Sequence, residues 1–187
     1  MFAGHLDLKR PLVWTVEDAL SANDCAAYIA RIESHRDAEI APIVGHDGEP
    51  EVDLAVRNNT RVMWDDEAEA NALLERVASS VPPELLDMKL AGANPRLRLY
   101  RYAPGQKHGA HWDTVVELPD GVKSLLTLVF YLNDGFEGGA TDFPELEKNI
   151  VPRAGRALLF QHRILHEATP VLSGTKYVLR TDILYRP

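Results

Sequence analysis

The residues after Asn94 alternate between short strand-like stretches and turns, and this alternation limits the folds that are open to the chain. Arg96 to Tyr102 alternates apolar and polar side chains with the period of two that is typical of a strand. Residues 124–133 (SLLTLVFYLN) are nearly all apolar, which predicts a central strand covered on both faces. Further strands are predicted at 111–116, 140–143, 156–160 and 176–185, with Gly and Pro turns among them. Many short strands with such turns favour a sandwich or barrel such as a jelly roll.

The first 93 residues carry two helical patterns. Ser21 suits a helix N-cap, with Asp24 three residues later as an imperfect capping box, and the apolar spacing continues to about residue 34. Residues 65–67 place acidic side chains at the start of a second helix, which we expect to run to about residue 79 before two prolines stop it. A short strand is predicted at 12–16.

Two polar segments separate these elements. Residues 35–50 resemble a loop, with GHDG at 45–48, and Asn58-Asn59 suits a turn or bulge. We therefore predict one domain over residues 1–187, mainly β with α. Its double-stranded β-helix (jelly-roll) core at 94–187 is braced by N-terminal helices, and 1–93 is the helical support and substrate-side segment.

Charge and cysteine content exclude several classes of protein. The 187 residues carry 28 acidic against 20 basic side chains, a net charge of −8, so we expect no nucleic-acid partner. Cys25 is the only cysteine, which excludes a disulfide framework and a Cys-rich zinc site. The sequence contains no run of about 18 apolar residues, so we expect no membrane span. We expect a soluble, cytoplasmic protein that is a monomer or a homodimer.

The triplet His111-Trp112-Asp113 carries the first sign of chemistry. In an extended strand residues i and i+2 share a face, so His111 and Asp113 would present a nitrogen and an oxygen ligand side by side. Such a pair is two-thirds of the 2-His-1-carboxylate site that is typical of non-haem Fe(II) oxygenases. A surface turn with two polar residues is the alternative interpretation of the triplet.

Residues far along the chain complete the pattern. His166 follows the stretch ALLF and lies 53 residues beyond Asp113, so the fold itself would have to assemble the site. Lys176 lies ten residues further on, and Arg180 lies four beyond that, on the same face of a regular strand. Either cation can meet a carboxylate, arginine as a two-pronged fork and lysine as a point charge.

These segments resemble a known family. HWD (111–113), TLVFYLND (127–134), FEGGATDFP (136–144), PRAGRALLF (152–160) and HEATPVLSGTKYVLRTDILY (166–185) are similar, in order, to prolyl 4-hydroxylase-type Fe(II)/2-oxoglutarate-dependent dioxygenases. The resemblance covers about residues 94–187. It implies a jelly-roll enzyme that uses Fe(II), 2-oxoglutarate and O2, with ascorbate as an additional candidate cofactor. It also implies hydroxylation of an aliphatic C–H bond, because relatives that halogenate generally lack the carboxylate found here at Asp113.

The resemblance assigns roles residue by residue. It implies that His111, Asp113 and His166 ligate Fe(II) and that Lys176 pairs with the distal carboxylate of 2-oxoglutarate. Arg180 is a second partner or an alternative anchor for that carboxylate. The resemblance also places Tyr102, and Thr127 or Tyr131, along the cosubstrate pocket.

The segment RNNTR (57–61) resembles a stretch that often precedes the core in bacterial members. It predicts a substrate-facing lid in which Arg57, Asn59 and Arg61 contribute, with Arg61 or Arg57 meeting an acidic group; plain loop residues are the alternative. The expected substrate is a prolyl or other residue in a protein or peptide, a free amino acid or a small metabolite. Nucleic-acid demethylation by the same chemistry and a non-catalytic metal-binding sensor are the alternative functions.

Overall fold

The computed structural model describes residues 6–35, 38–44 and 49–187. The predicted loop at 45–48 lies outside these ranges. The described residues form two α-helices, α1 (Ala22–Ser34) and α2 (Glu67–Glu75), and three short 3-10 helices at Ala78–Ser80, Pro119–Gly121 and Pro144–Leu146. The strands are β1 (Val13–Val16), β2 (Glu39–Ile40), β3 (Ile43–Val44), β4 (Pro50–Glu51), β5 (Thr60–Asp65), β6 (Glu84–Leu85), β7 (Met88–Ala93), β8 (Arg96–Tyr102), β9 (His108–His111), β10 (Lys123–Tyr131), β11 (Glu137–Gly138), β12 (Thr141–Phe143), β13 (Lys148–Ile150), β14 (Ala157–Gln161), β15 (His166–Ala168), β16 (Val171–Ser173) and β17 (Lys176–Arg186).

A large antiparallel sheet dominates the described part of the chain. Its strands lie in the order β1-β14-β10-β17-β8-β5-β2, and β7 pairs with both β17 and β6. The predicted central strand is confirmed as β10, which lies between β14 and β17. Because side chains alternate along a strand, Leu128 and Leu179 pack on one face of this sheet, whereas Val129 and Val178 pack on the other.

A smaller antiparallel sheet faces the large one. Its strands lie in the order β13-β12-β15-β9, and the short pair β11-β16 extends the layer. The functional cavity opens between the two sheets and takes its lining from both of them. The mainly β, jelly-roll architecture is therefore confirmed, whereas the division into one domain with two segments stays a prediction.

The two helices pack against the outer face of the large sheet, as predicted. The side chain and backbone of Ser21 and Asp24 form a complete capping box at the start of α1. Glu69 of α2 joins the helices to the sheet, because it accepts hydrogen bonds from Tyr28 at 2.9 Å and from Nε1 of Trp64 at 2.7 Å. Ile32 and Leu73 bury apolar surface in the same layer. Neither helix in the described ranges has the length and apolar character needed to cross a bilayer.

Three local predictions were wrong. Helix α2 ends at Glu75, because Val77 leaves the helical conformation and a 3-10 turn follows. The segment 35–50 is not all loop, since it contains strand residues of β2, β3 and β4. The strand expected at 111–116 instead spans His108–His111, because its backbone partners are residues of β15 and the segment around residue 57.

Candidate metal and cosubstrate site

Three potential metal ligands meet at the edge of the small sheet. His111 ends β9, His166 begins β15, and the two residues are direct partners across that antiparallel ladder. Asp113 lies in the loop that follows β9. One ligand atom from each of the three side chains lies within 4.8 Å of the others. The structure thus brings together the residues that the sequence predicted as ligands, although His111 and Asp113 do not share a strand.

Backbone carbonyl groups orient both imidazole rings. Nδ1 of His111 lies 2.8 Å from the carbonyl oxygen of Gly109, and Nδ1 of His166 lies 3.0 Å from that of Ile164. A carbonyl oxygen only accepts hydrogen bonds, so each Nδ1 carries the proton and each Nε2 keeps a free lone pair. The Nε2 atoms of His111 and His166 lie 3.7 Å and 3.6 Å from carboxylate oxygens of Asp113.

This donor set suits a ferrous ion. Burial lowers the pKa of His111 to about 3 and also lowers the pKa of His166, so both rings are neutral near pH 7. Lone pairs of two neutral imidazoles and of one carboxylate then converge with no proton between them. A cation at that point would satisfy all three, and two imidazoles with one carboxylate are the ligands of non-haem Fe(II) sites.

The Asp113 carboxylate is held at both oxygens. The hydroxyl of Thr127 donates a hydrogen bond to Oδ2 at 2.6 Å, and Nη1 of Arg180 lies 2.9 Å from Oδ1. Burial alone would raise the pKa of Asp113, but the neighbouring groups, the Arg180 guanidinium first among them, together outweigh burial and hold this pKa well below its usual range. Asp113 is therefore an anion at neutral pH. Thr127 lines the cavity, as predicted, but its hydroxyl is directed at Asp113.

Lys176 forms a separate cationic slot in the same cavity. Its side chain is fully buried, and its Nζ donates to the carbonyl oxygen of Gly139 at 2.6 Å. The ammonium also lies over the rings of Tyr102 and Tyr131, at 5.0 Å and 5.7 Å from their centroids. None of the ion pairs between described residues includes Lys176, and burial lowers the pKa of Lys176 to about 7. An anionic ligand would supply the missing countercharge.

Both tyrosines predicted along the cosubstrate pocket line this cavity. The hydroxyl of Tyr131 lies 2.6 Å from Oγ1 of Thr141, and both groups are buried. Burial raises the pKa of Tyr102 to about 12, which keeps its hydroxyl protonated and able to donate. The slot around Lys176 therefore offers one ammonium and hydroxyl groups to a carboxylate.

The structure separates the three residues of the predicted lid. Arg57 lines the cavity, where its Nε donates to Oδ1 of Asn59 at 3.0 Å and its guanidinium lies over the Tyr100 ring. Asn59 is fully buried behind Arg57 and does not line the cavity. Arg61 does not line it either, because its Nε is paired with Glu39 at 2.7 Å on the protein surface. The expectation that Asn59 and Arg61 face a substrate receives no support from this geometry.

Three further residues at the site were not predicted. Thr141 partners Tyr131, and the ring of His108 stacks on His111 with centroids 3.6 Å apart. Asp182 is buried two residues beyond Arg180 and pairs with it at 3.1 Å. The spacing of Arg180 and Asp182 in one strand could have indicated this pair, since residues i and i+2 share a face.

Sequence comparisons show which known proteins this region resembles. Residues 97–181 match the model of the 2OG-Fe(II) oxygenase superfamily. A putative prolyl 4-hydroxylase from Acanthamoeba polyphaga mimivirus is 31% identical over 100 residues, covering 44% of this chain and 41% of that protein. This chain therefore spans less than half the length of that relative.

Solved structures share the fold across nearly the whole chain. A Pseudomonas putida prolyl-4-hydroxylase superposes with a TM-score of 0.68 at 19% identity, and the match covers 100% of both chains. A prolyl hydroxylase from Trichoplax adhaerens, in complex with a hypoxia inducible factor oxygen degradation domain peptide fragment, gives 0.71 at 17% identity and covers 94% of this chain and 84% of that one.

The match over residues 97–181 and the similarity to the mimivirus protein confirm the predicted resemblance to prolyl 4-hydroxylase-type members of the 2OG-Fe(II) oxygenase superfamily. This superfamily uses Fe(II), 2-oxoglutarate and O2, which agrees with the donor set and the cationic slot. The use of ascorbate stays a prediction.

Proposed function

We propose that the protein is an Fe(II)- and 2-oxoglutarate-dependent dioxygenase that hydroxylates an aliphatic C–H bond. One observation carries the proposal. His111 and His166, whose ligand atoms lie within 4.8 Å of one from Asp113, line the same cavity as a buried lysine, and no carboxylate among the described residues pairs with that lysine. A metal site and a site for an anion are thus side by side, as an enzyme that binds both iron and a dicarboxylate requires.

The residues of the chain have distinct roles in this proposal. His111, Asp113 and His166 hold Fe(II), and Lys176 binds the distal carboxylate of 2-oxoglutarate. Lys176 is preferred over Arg180 as the anchor because both carboxylate partners of Arg180 come from the protein itself. When bound, iron and 2-oxoglutarate supply the oxidising chemistry, in which decarboxylation to succinate and CO2 accompanies transfer of one O2 oxygen to the substrate.

Apolar side chains around the cavity limit access of water to these groups. Val129, Val178 and Phe160 line it together with the tyrosines beside Lys176. A low-polarity wall strengthens the attraction between the Lys176 ammonium and a carboxylate, because less water competes for either charge. The apolar wall therefore favours a bound anion that pairs with Lys176 over one that stays unpaired in the cavity.

Arg57 lines the cavity and would contact the bound substrate. We favour a prolyl residue in a peptide, because the similar proteins are prolyl hydroxylases and the structure of one of them contains a bound peptide. A different protein residue, a free amino acid or a small metabolite would fit the same chemistry. We further propose a cytoplasmic protein, a monomer or a homodimer, without a nucleic-acid partner, since net charge is −8 and the single cysteine suits a reducing compartment.

Anaerobic titration tests the proposal. Addition of Fe(II) and then 2-oxoglutarate to the metal-free protein should produce a visible charge-transfer band, and admission of O2 should then yield succinate. Asp113→Ala should lose the band and the succinate. Asp142→Ala, an acid-to-alanine change elsewhere in the small sheet, should retain both. A protein that gives no band, or an Asp113→Ala variant that turns over normally, would contradict the proposal.

A further inference from the structure

Arg180 occupies a central position between two carboxylates. Its Nη1 lies 2.9 Å from Oδ1 of Asp113, and its Nη2 lies 3.1 Å from Oδ1 of Asp182. Nη2 also lies 3.5 Å from the Thr127 hydroxyl, which itself donates to Asp113. The two prongs of one guanidinium therefore span a predicted iron ligand and a second buried acid.

The charges around Arg180 form a balanced row. Asp182 is 2% exposed, and its other oxygen, Oδ2, pairs with Arg98 at 3.3 Å. Nε2 of His162 lies 3.8 Å from Oδ1 of Asp182, and burial keeps that ring neutral. The row of paired side chains contains, in spatial order, Arg98, Asp182, Arg180 and Asp113. Positive and negative charges thus alternate along this row, and the four charges sum to zero. Asp182 thus gives Arg180 a countercharge in addition to that of Asp113, whose own charge would be shared with a bound metal.

This arrangement makes Arg180 a poor anchor for a cosubstrate. Its two terminal nitrogens already pair with protein carboxylates, and only its buried Nε has no hydrogen-bond partner among the described residues, so a dicarboxylate could engage both terminal nitrogens only by displacing those carboxylates. Removing a partner from a buried ion pair is costly because it leaves an uncompensated charge. Lys176 has no such partner in the described part of the chain, so it can take the anion without breaking an ion pair.

We propose that Arg180 is a positioning residue for Asp113: it fixes the plane of the carboxylate so that its oxygens face Nε2 of both histidines. This inference rests on the proposed function, because it assumes that Asp113 is an iron ligand. Each carboxylate oxygen has two lone-pair directions. Arg180 and Thr127 each take one and leave one on either oxygen for the metal. Asp182 holds the guanidinium in place and cancels its charge.

Metal binding to the purified metal-free protein tests this role without a substrate. Co(II) is the probe, because its visible absorption reports the geometry of its ligands. Arg180→Met should weaken Co(II) binding by roughly 10–100-fold, the usual effect of removing a group that orients a metal ligand, and should change the spectrum. Arg180→Lys should fail to restore either property, because one ammonium cannot span two carboxylates. Arg96→Met, which removes an arginine paired with Asp65 at the surface, should match the wild type.

A second measurement separates positioning from anchoring. In variants loaded with saturating metal, Arg180→Met should bind 2-oxoglutarate within a few-fold of the wild type, whereas Lys176→Met should not. If Arg180→Met does not fold, judged by circular dichroism, Asp182→Asn provides the test. It leaves the arginine charge uncompensated beside the metal and should weaken Co(II) binding.

Several outcomes would overturn the inference. These are wild-type Co(II) affinity and spectrum in Arg180→Met, tighter Co(II) binding in that variant, full rescue by lysine, or unchanged Co(II) binding in Asp182→Asn. Loss of 2-oxoglutarate affinity with an unchanged Co(II) spectrum would identify Arg180 as an anchor instead. If the wild-type protein itself binds no metal, the proposed function fails. If the wild-type protein binds metal and Arg180→Met binds it equally well, only the inference about Arg180 fails.

Discussion

The hydroxyl of Thr127 donates a 2.6 Å hydrogen bond to Oδ2 of Asp113, although 14 residues separate the two in sequence. Thr127 lies in β10 at the centre of the large sheet, and Asp113 lies in a loop beside the small one. The bond therefore links the rigid sheet to the one predicted ligand that no strand holds. A loop residue can act as a reliable ligand only if such contacts fix it.

Replacement of Thr127 by valine should weaken metal binding. Valine has nearly the same shape but cannot donate, so Oδ2 of Asp113 loses a buried partner. We expect a loss of about 1–3 kcal/mol in the free energy of unfolding and roughly 10–100-fold in Co(II) affinity. Thr181→Val is the matched control, because Thr181 is also buried and donates to the backbone of Asn94, away from the site. Equal metal affinity in the two variants would show that Thr127 does not orient Asp113.

Lys176→Met should weaken the binding of 2-oxoglutarate with little effect on the metal. A hydrogen bond to a charged group contributes about 1.5–3 kcal/mol, which is on the order of 10–100-fold in affinity. The charge-transfer band at rising 2-oxoglutarate concentration measures this change. Lys148→Met is the control, since that ammonium also donates to a backbone carbonyl but lies outside the cavity. If Lys148→Met causes the same loss, the effect does not come from the slot.

The buried lysine should also make stability depend on pH. The pKa of Lys176 is lowered from 10.5 to about 7, so between these values the unfolded chain binds more protons than the folded one. The lysine therefore destabilises the ligand-free fold most below about pH 7, and stability should rise by up to about 1.4 kcal/mol per pH unit above it. Urea unfolding of the wild type and Lys176→Met from about pH 6 to about pH 9 measures the difference. Parallel curves would contradict the lowered pKa.

Arg57 and Arg61 should differ in their effect on substrate. Arg57→Met removes a guanidinium from the cavity wall, so we expect weaker binding of a proline-containing peptide and less peptide-stimulated succinate formation. The affinity for 2-oxoglutarate should change little. Arg61→Met breaks only a surface pair with Glu39, and such pairs contribute about 0–1 kcal/mol. A larger substrate defect in Arg61→Met than in Arg57→Met would reverse the assignment.

The sequence predicted regular strands well because their side chains alternate. Arg96–Tyr102 is observed with the predicted bounds, and the apolar run at 124–133 overlaps nearly all of the central strand β10. The convergence of His111, Asp113 and His166 could be predicted because the resemblance covers the segments that contain them. Their local geometry could not, since β9 ends at His111 and leaves Asp113 in a loop.

Contacts between distant strands could not be predicted from the sequence. Arg180 meets Asp113 only because β17 pairs with β10 in one register, which brings Thr127 opposite Asp182. The lid prediction treated Arg57 and Arg61 as equivalent. Strand β5 begins at Thr60, so Arg57 precedes it and turns into the cavity, whereas Arg61 pairs outward beside Glu39. Composition alone does not distinguish an arginine that lines the cavity from one that pairs with a nearby glutamate.

The alternation along β17 has an implication for engineering. Lys176, Val178 and Arg180 line the cavity, while Leu179 and Ile183 fill the layer under the helices. Substitutions of Val178 on the cavity side should therefore change ligand preference without disturbing the packing of Leu179 and Ile183. A one-residue insertion or deletion would exchange the two sets, burying the two cations among the apolar side chains under the helices and turning leucine towards the proposed metal site. Variant libraries for this protein should therefore substitute residues in β17 and keep the length of the strand constant.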